Sequence, residues 1–262
     1  MKIAGLEPLT LQDYPGELAA VIFTAGCNLR CPYCHNPELV AQEEDDAKLF
    51  SSKEILAFLE KRSPYLDAVV ISGGEPLINK GLISYLKKIK DLGYKIRIDT
   101  NGTRPEVLDE LLSEKLLDMV GWDYKLPLNR YPEFLPGHKS SAGATRAKGK
   151  KIIAALKQTG EILSNSEIEV EIRTTAVPEL ITSSDIAKIS QEIAEFTSSD
   201  NNQCKRERVF PSSYVIQGFR NERVLSQSFS SVSPYSLNQL QEFKAIATKY
   251  INSDTVKIRK NL

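Results

Sequence analysis

The chain has 262 residues, 41% of them hydrophobic, and its 34 Lys and Arg balance its 34 Asp and Glu. That size buries a substantial core, as expected of one large α/β domain, and a zero net charge provides no general field to call for nucleic acid or an anionic membrane. No apolar run approaches the roughly 18 residues of a membrane span and Met1-Lys2 opens no secretory segment, so a cytoplasmic protein without membrane or nucleic-acid partners is expected.

The segment up to residue 17 contains Asp13-Tyr14-Pro15-Gly16, a turn signature suited to start an edge hairpin. Residues 18–23 (LAAVIF) read as a strand, and it runs through Thr24-Ala25-Gly26 into Cys27-Asn28-Leu29-Arg30-Cys31-Pro32-Tyr33-Cys34. Three of four cysteines thus fall in one loop at a strand's C-terminal end. Thiolates are soft ligands for zinc or iron-sulfur clusters, and a closed structural zinc site wants four of them. The fourth, Cys204, lies far away in a polar run at 197–208 and reads as a free, exposed thiol. His35, beside the loop, is placed to orient it or to tune a cluster through a hydrogen bond.

The acidic stretch 42–48 reads as a solvated surface loop. Ser51-x-x-Glu54 is a capping box for a helix to about residue 62. Residues 68–71 (AVVI) form a buried strand ending in Ser72-Gly73-Gly74-Glu75-Pro76. Glycines there admit close backbone approach, although the same string suits an ordinary strand-to-helix turn. A helix over 81–92 leads to the strand YKIRIDTNG (94–102), again with its polar residues at the end. Asn-Gly is also a common turn, and Thr103-x-x-Glu106 with Pro105 is read as capping the next helix, 105–115.

Residues 118–127 follow, in which Asp123 and Lys125 share one face; such a pair is often a plain surface ion pair. Residues 128–150, rich in Pro, Gly and Lys and holding His138, Lys139 and Lys148, read as a long irregular connection with His138 exposed to solvent. A helix over 147–158, a strand over 168–174 with Arg173 near its end, a helix over 184–196, a strand over 214–217 and a helix over 237–250 complete the chain. Six strands alternating with helices imply right-handed crossovers and a parallel sheet, doubly wound or barrel-like. Every polar motif sits at a strand C-terminus, where barrel enzymes keep their sites.

The string GCNLRCPYCHNPELV, with Tyr33 just before the last cysteine, resembles the signature of the radical S-adenosylmethionine (radical SAM) superfamily. It is most similar to the glycyl-radical-enzyme activases, in particular the anaerobic ribonucleoside-triphosphate reductase activating proteins, over residues 13–219. The resemblance implies a partial (β/α)6 barrel open on one side, a single domain with its core at about 17–220 and a C-terminal helical extension at about 234–262. It implies that Cys27, Cys31 and Cys34 hold a 4Fe-4S cluster whose open iron chelates S-adenosylmethionine. Reduction by a one-electron donor such as flavodoxin or ferredoxin would then yield a 5'-deoxyadenosyl radical that abstracts hydrogen from a glycine of a partner enzyme.

By the same resemblance, Gly73, Gly74 and Glu75 receive the methionyl ammonium, and Asp99, Thr100 and Asn101 lie beside the ribose and methionyl part. Lys125 meets a substrate-side carboxylate, Arg173 meets the cofactor carboxylate or a peptide carbonyl, and Asp99, Thr100 and Asp123 share a monovalent cation. The alternatives are a radical SAM enzyme acting on a small molecule, in the manner of 7-carboxy-7-deazaguanine synthase, and a zinc- or RNA-binding module. The last lacks a fourth ligand and a basic stripe.

Overall fold

The computed structural model describes residues 1–40, 50–137, 142–197 and 209–260. Eight strands form one sheet in sequential order: β1 (Ile3–Thr10), β2 (Ala19–Thr24), β3 (Ala68–Gly73), β4 (Lys95–Thr100), β5 (Met119–Asp123), β6 (Glu169–Ala176), β7 (Ser213–Gly218) and β8 (Val256–Arg259). The helices are α1 (Pro37–Val40), α2 (Ser52–Arg62), α3 (Leu82–Asp91), α4 (Pro105–Ser113), α5 (Ala142–Asn165), α6 (Ser183–Thr197) and α7 (Leu237–Ala247). Only β1 runs antiparallel to its neighbour; β2 to β8 are parallel. Strands β1 and β8 do not pair, so the curved sheet is a partial barrel open on one side, and β2 to β7 are the six strands expected.

Strand parity explains the two cores. Alternate residues of a strand face opposite sides. Ala20, Ile22, Val69, Ile71, Ile96 and Ile98 pack outward into the large core under the helices. Ala19, Val21, Ala68, Val70 and Met119 form a small inner core with Tyr14. Further toward the strand C-termini the inner positions turn charged: Arg97, Asp99, Glu171 and Arg173. The apolar plug closes one end of the barrel and leaves the other polar.

Two strands exceed the sequence reading. The Asp13-Tyr14-Pro15-Gly16 turn does join an edge hairpin, whose first strand, β1, contains Gly5 and Pro8. Gly5 accepts the Phe23 ring, which a Cβ would meet at 3.3 Å, and the register slips between Glu7 and Thr10, an irregularity that an edge tolerates around a proline. At the other end the chain closes on strand β8, so the expected helical extension is a helix followed by a strand.

The described parts of 128–150 are regular rather than an irregular connection. Residues Leu128–Phe134 wind as 3₁₀ turns that bury Leu128, Tyr131 and Phe134, a period of three that is neither α nor β. Helix α5 then runs from Ala142 rather than 147. Its glycines are packing sites: a Cβ on Gly149 would lie 2.9 Å from Pro132, and one on Gly160 would lie 2.5 Å from the Phe196 ring. The Ser51 capping box forms as read. Thr103 does not cap α4, because Arg104 is its N-cap and the Thr103 hydroxyl is engaged with Asn101. The acidic stretch 42–48, His138, Lys139 and Cys204 lie outside the described residues. No helix among the described residues is long and apolar enough to cross a membrane.

Candidate cluster and cofactor site

The loop after β2 is built by backbone. Gly26 turns with φ +84, its N–H donates to the Leu39 carbonyl at 2.7 Å, and the Ala25 N–H donates to that of Lys2 at 3.1 Å. Leu29 anchors the loop in the core, Arg30 N–H donates to the Phe134 carbonyl at 2.8 Å, and the Arg30 guanidinium folds back onto the Cys27 carbonyl at 2.7 Å. The three thiols are thereby held at the barrel's polar end, none in a disulfide. Burial raises all of their pKa values, Cys31 to about 12. Buried thiols that resist ionisation gain from a cationic centre, which takes them as thiolates and releases their protons.

Beside them, Gly73 and Gly74 press against the loop. A Cβ on Gly73 would lie 2.4 Å from the Thr24 nitrogen, and one on Gly74 would lie 1.9 Å from the Gly26 oxygen. Gly74 N–H donates to the Thr24 carbonyl at 2.9 Å and Glu75 N–H to that of Gly26 at 2.8 Å. The two motifs are therefore stitched main chain to main chain.

Glu75 is wholly buried. Its carboxylate accepts from Leu77 N–H at 3.1 Å, Thr100 Oγ1 at 2.7 Å and Asn101 N–H at 2.7 Å. Burial pushes its pKa up to about 7 against those donors. It ties the β3 loop to the β4 loop and lies behind the wall of the cavity. The Ser72–Gly74 segment forms the adjacent wall of the cavity.

A cavity of about 1120 Å³ opens at this end of the barrel. The residues that the resemblance placed at the site, except Glu75, line it: Cys27, Cys31, Cys34 and Tyr33; Gly73 and Gly74; Asp99, Thr100 and Asn101; Asp123, Lys125 and Arg173; His35 lines it too. Lys125 Nζ lies 3.2 Å from Asp123 Oδ2, and the Lys125 N–H donates to the Tyr131 hydroxyl at 2.7 Å. Arg173 is largely shielded from solvent at the end of β6. It donates to Asp123 at 2.8 Å and to Asp99 at 3.2 Å. Burial opposes the Asp123 charge, but Arg173 and Lys125 outweigh it and hold its pKa at about 2. Asp99 and Asp123 thus share a guanidinium, and the Thr100 hydroxyl serves Glu75.

Several site residues escaped the sequence reading. Asn28 donates to Thr103 Oγ1 at 2.7 Å and accepts from Asn101 at 2.9 Å, coupling the cysteine loop to the β4 loop. Arg97, only 2% exposed in its side chain, bridges Asp99 at 2.8 Å and Glu171 at 2.9 Å. Gln12 and Asp13 reach the cavity from the hairpin, and Arg259 reaches it from β8. The equal parity of Arg97 with Asp99, and of Glu171 with Arg173, was the available signal.

The donor set fits an iron-sulfur cluster. Three soft thiols line one roomy cavity, the donor type and number that an iron-sulfur cluster with one open iron takes. Two buried polar atoms beside the loop, the Tyr33 hydroxyl and His35 Nε2, have no hydrogen-bond partner.

Residues 21–178 match the radical SAM superfamily family model. The chain is 33% identical over 258 residues to a Methanocaldococcus jannaschii protein named as a glycyl-radical enzyme activating enzyme, covering 98% of this chain and 95% of that one. It is 37% identical over 129 residues to the pyruvate formate-lyase-activating enzyme of Clostridium pasteurianum, 47% of this chain and 52% of that one. A 7-carboxy-7-deazaguanine synthase of Methanopyrus kandleri matches at 28% over 132 residues, 44% of this chain and 52% of that one. Among solved structures, Streptococcus suis SuiB bound to S-adenosylmethionine superposes with a TM-score of 0.61 at 16% identity, covering 92% of this chain and 50% of that one.

Proposed function

The chain belongs to the radical SAM superfamily, as an enzyme of the glycyl-radical-enzyme activating type, and we propose that the glycine it activates lies on an anaerobic ribonucleotide reductase. The family's cofactors are a 4Fe-4S cluster and S-adenosylmethionine. When bound, they supply one-electron cleavage of a sulfonium and abstraction of a hydrogen atom. In this reading Cys27, Cys31 and Cys34 hold the cluster and the Ser72–Gly74 backbone offers acceptors to an ammonium. Asp99, Thr100 and Asn101 flank the ribose, Arg173 takes a carboxylate, and Lys125 faces the substrate.

The chain's own work is positioning. Glu75, Asn28 and Asn101 lock three loops into one frame, so the cysteines and the cofactor-facing backbone keep a fixed relation. The inner apolar plug and the Tyr33–Phe134 contact exclude water from below. No side chain is required to act as acid or base. A flavodoxin or ferredoxin in the cytoplasm would be the electron source, and Asp99, Thr100 and Asp123 would take a monovalent cation only by releasing the partners they now have.

The observation that carries the activase reading is whole-chain similarity to an activating enzyme; a barrel left open between β1 and β8 is consistent with a macromolecular partner. The small-molecule reading draws only on similarity over less than half of the chain. Electron paramagnetic resonance decides between them. The reconstituted protein, S-adenosylmethionine, a reductant and an anaerobic ribonucleotide reductase should give a glycyl doublet on the reductase. Absence of that doublet, with formation of 7-carboxy-7-deazaguanine instead, would transfer the assignment to the synthase-like alternative.

A further inference from the structure

Helix α5 carries charge of one sign over most of its length. Across residues 142–160 its charged side chains are Arg146, Lys148, Lys150, Lys151 and Lys157, and the first acid is Glu161. All five are exposed, and none is ion-paired among the described residues. The buried positions Gly149, Ile152 and Leu156, spaced by three and four, mark the face packed on the barrel, so the cations fall on the solvent face. A helix that crosses between parallel strands starts where the first strand ends, so α5 begins at the polar end of the barrel. A Cβ on Gly149 would lie 2.9 Å from Pro132. Two residues on, the Phe134 carbonyl accepts from Arg30 N–H at 2.8 Å, and the Phe134 ring meets the Tyr33 ring with centroids 5.9 Å apart. One short 3₁₀ segment thus joins the basic turns to the cysteine loop. Glu133 in that segment does not offset them, because Arg130 holds it at 2.9 Å.

We propose that this basic face of α5 docks an acidic, one-electron-carrying protein, with Arg146, Lys148, Lys150 and Lys151 meeting its carboxylates. The inference rests on the reading above that a protein donor reduces the cluster, and it adds the surface on which the donor sits. One electron leaves the reduced donor, which is oxidised, for the cluster that Cys27, Cys31 and Cys34 hold. Like charges one turn apart, Arg146 with Lys150 and Lys148 with Lys151, repel and oppose helix formation, a cost that an anionic partner reverses. In a chain of zero net charge, a helix of one sign also steers an acidic protein to this face rather than to others. A redox protein suits the face better than a nucleic acid, because it adjoins the cysteine loop and residues 142–160 contain no aromatic side chain on which a base could stack. Exposed lysines on long stems favour a brief encounter, as a carrier that departs after each electron requires.

The test uses the anaerobically reconstituted holoenzyme and a fluorophore-labelled flavodoxin, an acidic one-electron carrier, in fluorescence anisotropy. Binding should weaken about tenfold between about 50 and about 300 mM salt. The triple variant Lys148→Glu, Lys150→Glu and Lys151→Glu should weaken it about tenfold or more at low salt. The corresponding glutamine variant should weaken it less, and the arginine variant should bind as the parent does. With reduced flavodoxin as donor, release of 5'-deoxyadenosine by the glutamate variant should fall in parallel, whereas release driven by dithionite should match the parent. Flavodoxin binding to the parent that is absent or indifferent to salt overturns the proposal, whether or not the variants fold. So does binding unchanged in both the glutamate and glutamine variants, or capture of a single-stranded RNA more tightly than flavodoxin. If dithionite drives release in the parent and the variants still accept electrons from flavodoxin as the parent does, the docking inference alone fails. If dithionite drives no release in the parent, the reading of the cluster chemistry fails.

Discussion

Gly74→Ala tests the stitching of the cysteine loop to the β3 loop. The new Cβ would fall 1.9 Å from the Gly26 oxygen and 2.7 Å from its carbonyl carbon, both main-chain atoms that no side-chain rotation can remove. The loops must separate by more than an ångström, which breaks the 2.8 Å bond from Glu75 N–H to Gly26 and strains the 2.9 Å bond from Gly74 N–H to Thr24. A buried donor left unpaired costs about 1–3 kcal/mol, and overpacking adds a similar amount. We therefore expect about 3 kcal/mol of destabilisation, a fall of about 6–12 °C in Tm for a domain of this size. Circular dichroism melts of the apoprotein measure it, alongside iron content after reconstitution, which should fall because Gly26 sets the position of Cys27. Gly93→Ala is the control: φ is +89 with nothing within 4 Å of its Cβ, so it should cost about 1–2 kcal/mol and leave iron content unchanged. A Gly74→Ala protein that melts within about 1 °C of the parent and holds its full iron would refute the reasoning.

Gly121→Ala should be severe, since its Cβ would meet Asp99 Oδ1 at 2.2 Å and Arg97 Nη2 at 2.6 Å and split a buried ion pair; urea unfolding should show a loss of about 3 kcal/mol or more. Glu192→Ala removes the acceptor of the Tyr124 hydroxyl at 2.9 Å and of Leu128 N–H at 3.1 Å, for about 2–4 kcal/mol, whereas Glu192→Gln should cost about 1 kcal/mol. The pKa of Asp123 is held at about 2, below its ordinary 3.8, so its stabilising contribution is complete above pH ~4 and is lost as pH falls through ~2. The stability gap between parent and Asp123→Asn should close over that interval. The pKa of Glu75, raised to about 7, has the opposite sign: its contribution is complete below its ordinary 4.5 and is lost as pH rises through ~7, so Glu75→Gln should gain on the parent toward pH 8.

The sequence made the parallel core legible because each of β2 to β7 carries a buried apolar run, and the helices between them have caps or amphipathic faces. It located the part of the cavity lining that lies at the ends of β2 to β6, because polar residues clustered at strand ends leave few other places to go. What it hid was of two kinds. Edge elements such as β1 and β8 are short, half-exposed and interrupted by Pro8 or alternating charge, so their strand pattern is faint. Partnerships were hidden as well. Nothing in the local string says that Glu75 turns away from the cavity toward Thr100 and Asn101, or that Thr103 abandons a cap for Asn28, since those choices are made by residues distant in the chain.

The most direct measurement is the product formed when the anaerobically reconstituted protein meets S-adenosylmethionine and dithionite. The account predicts about four irons and four sulfides per chain and reductive release of 5'-deoxyadenosine. Both should be lost in Cys31→Ala and retained in Cys204→Ala. A colourless protein that binds zinc, or an iron-loaded protein that leaves the sulfonium intact, would contradict it.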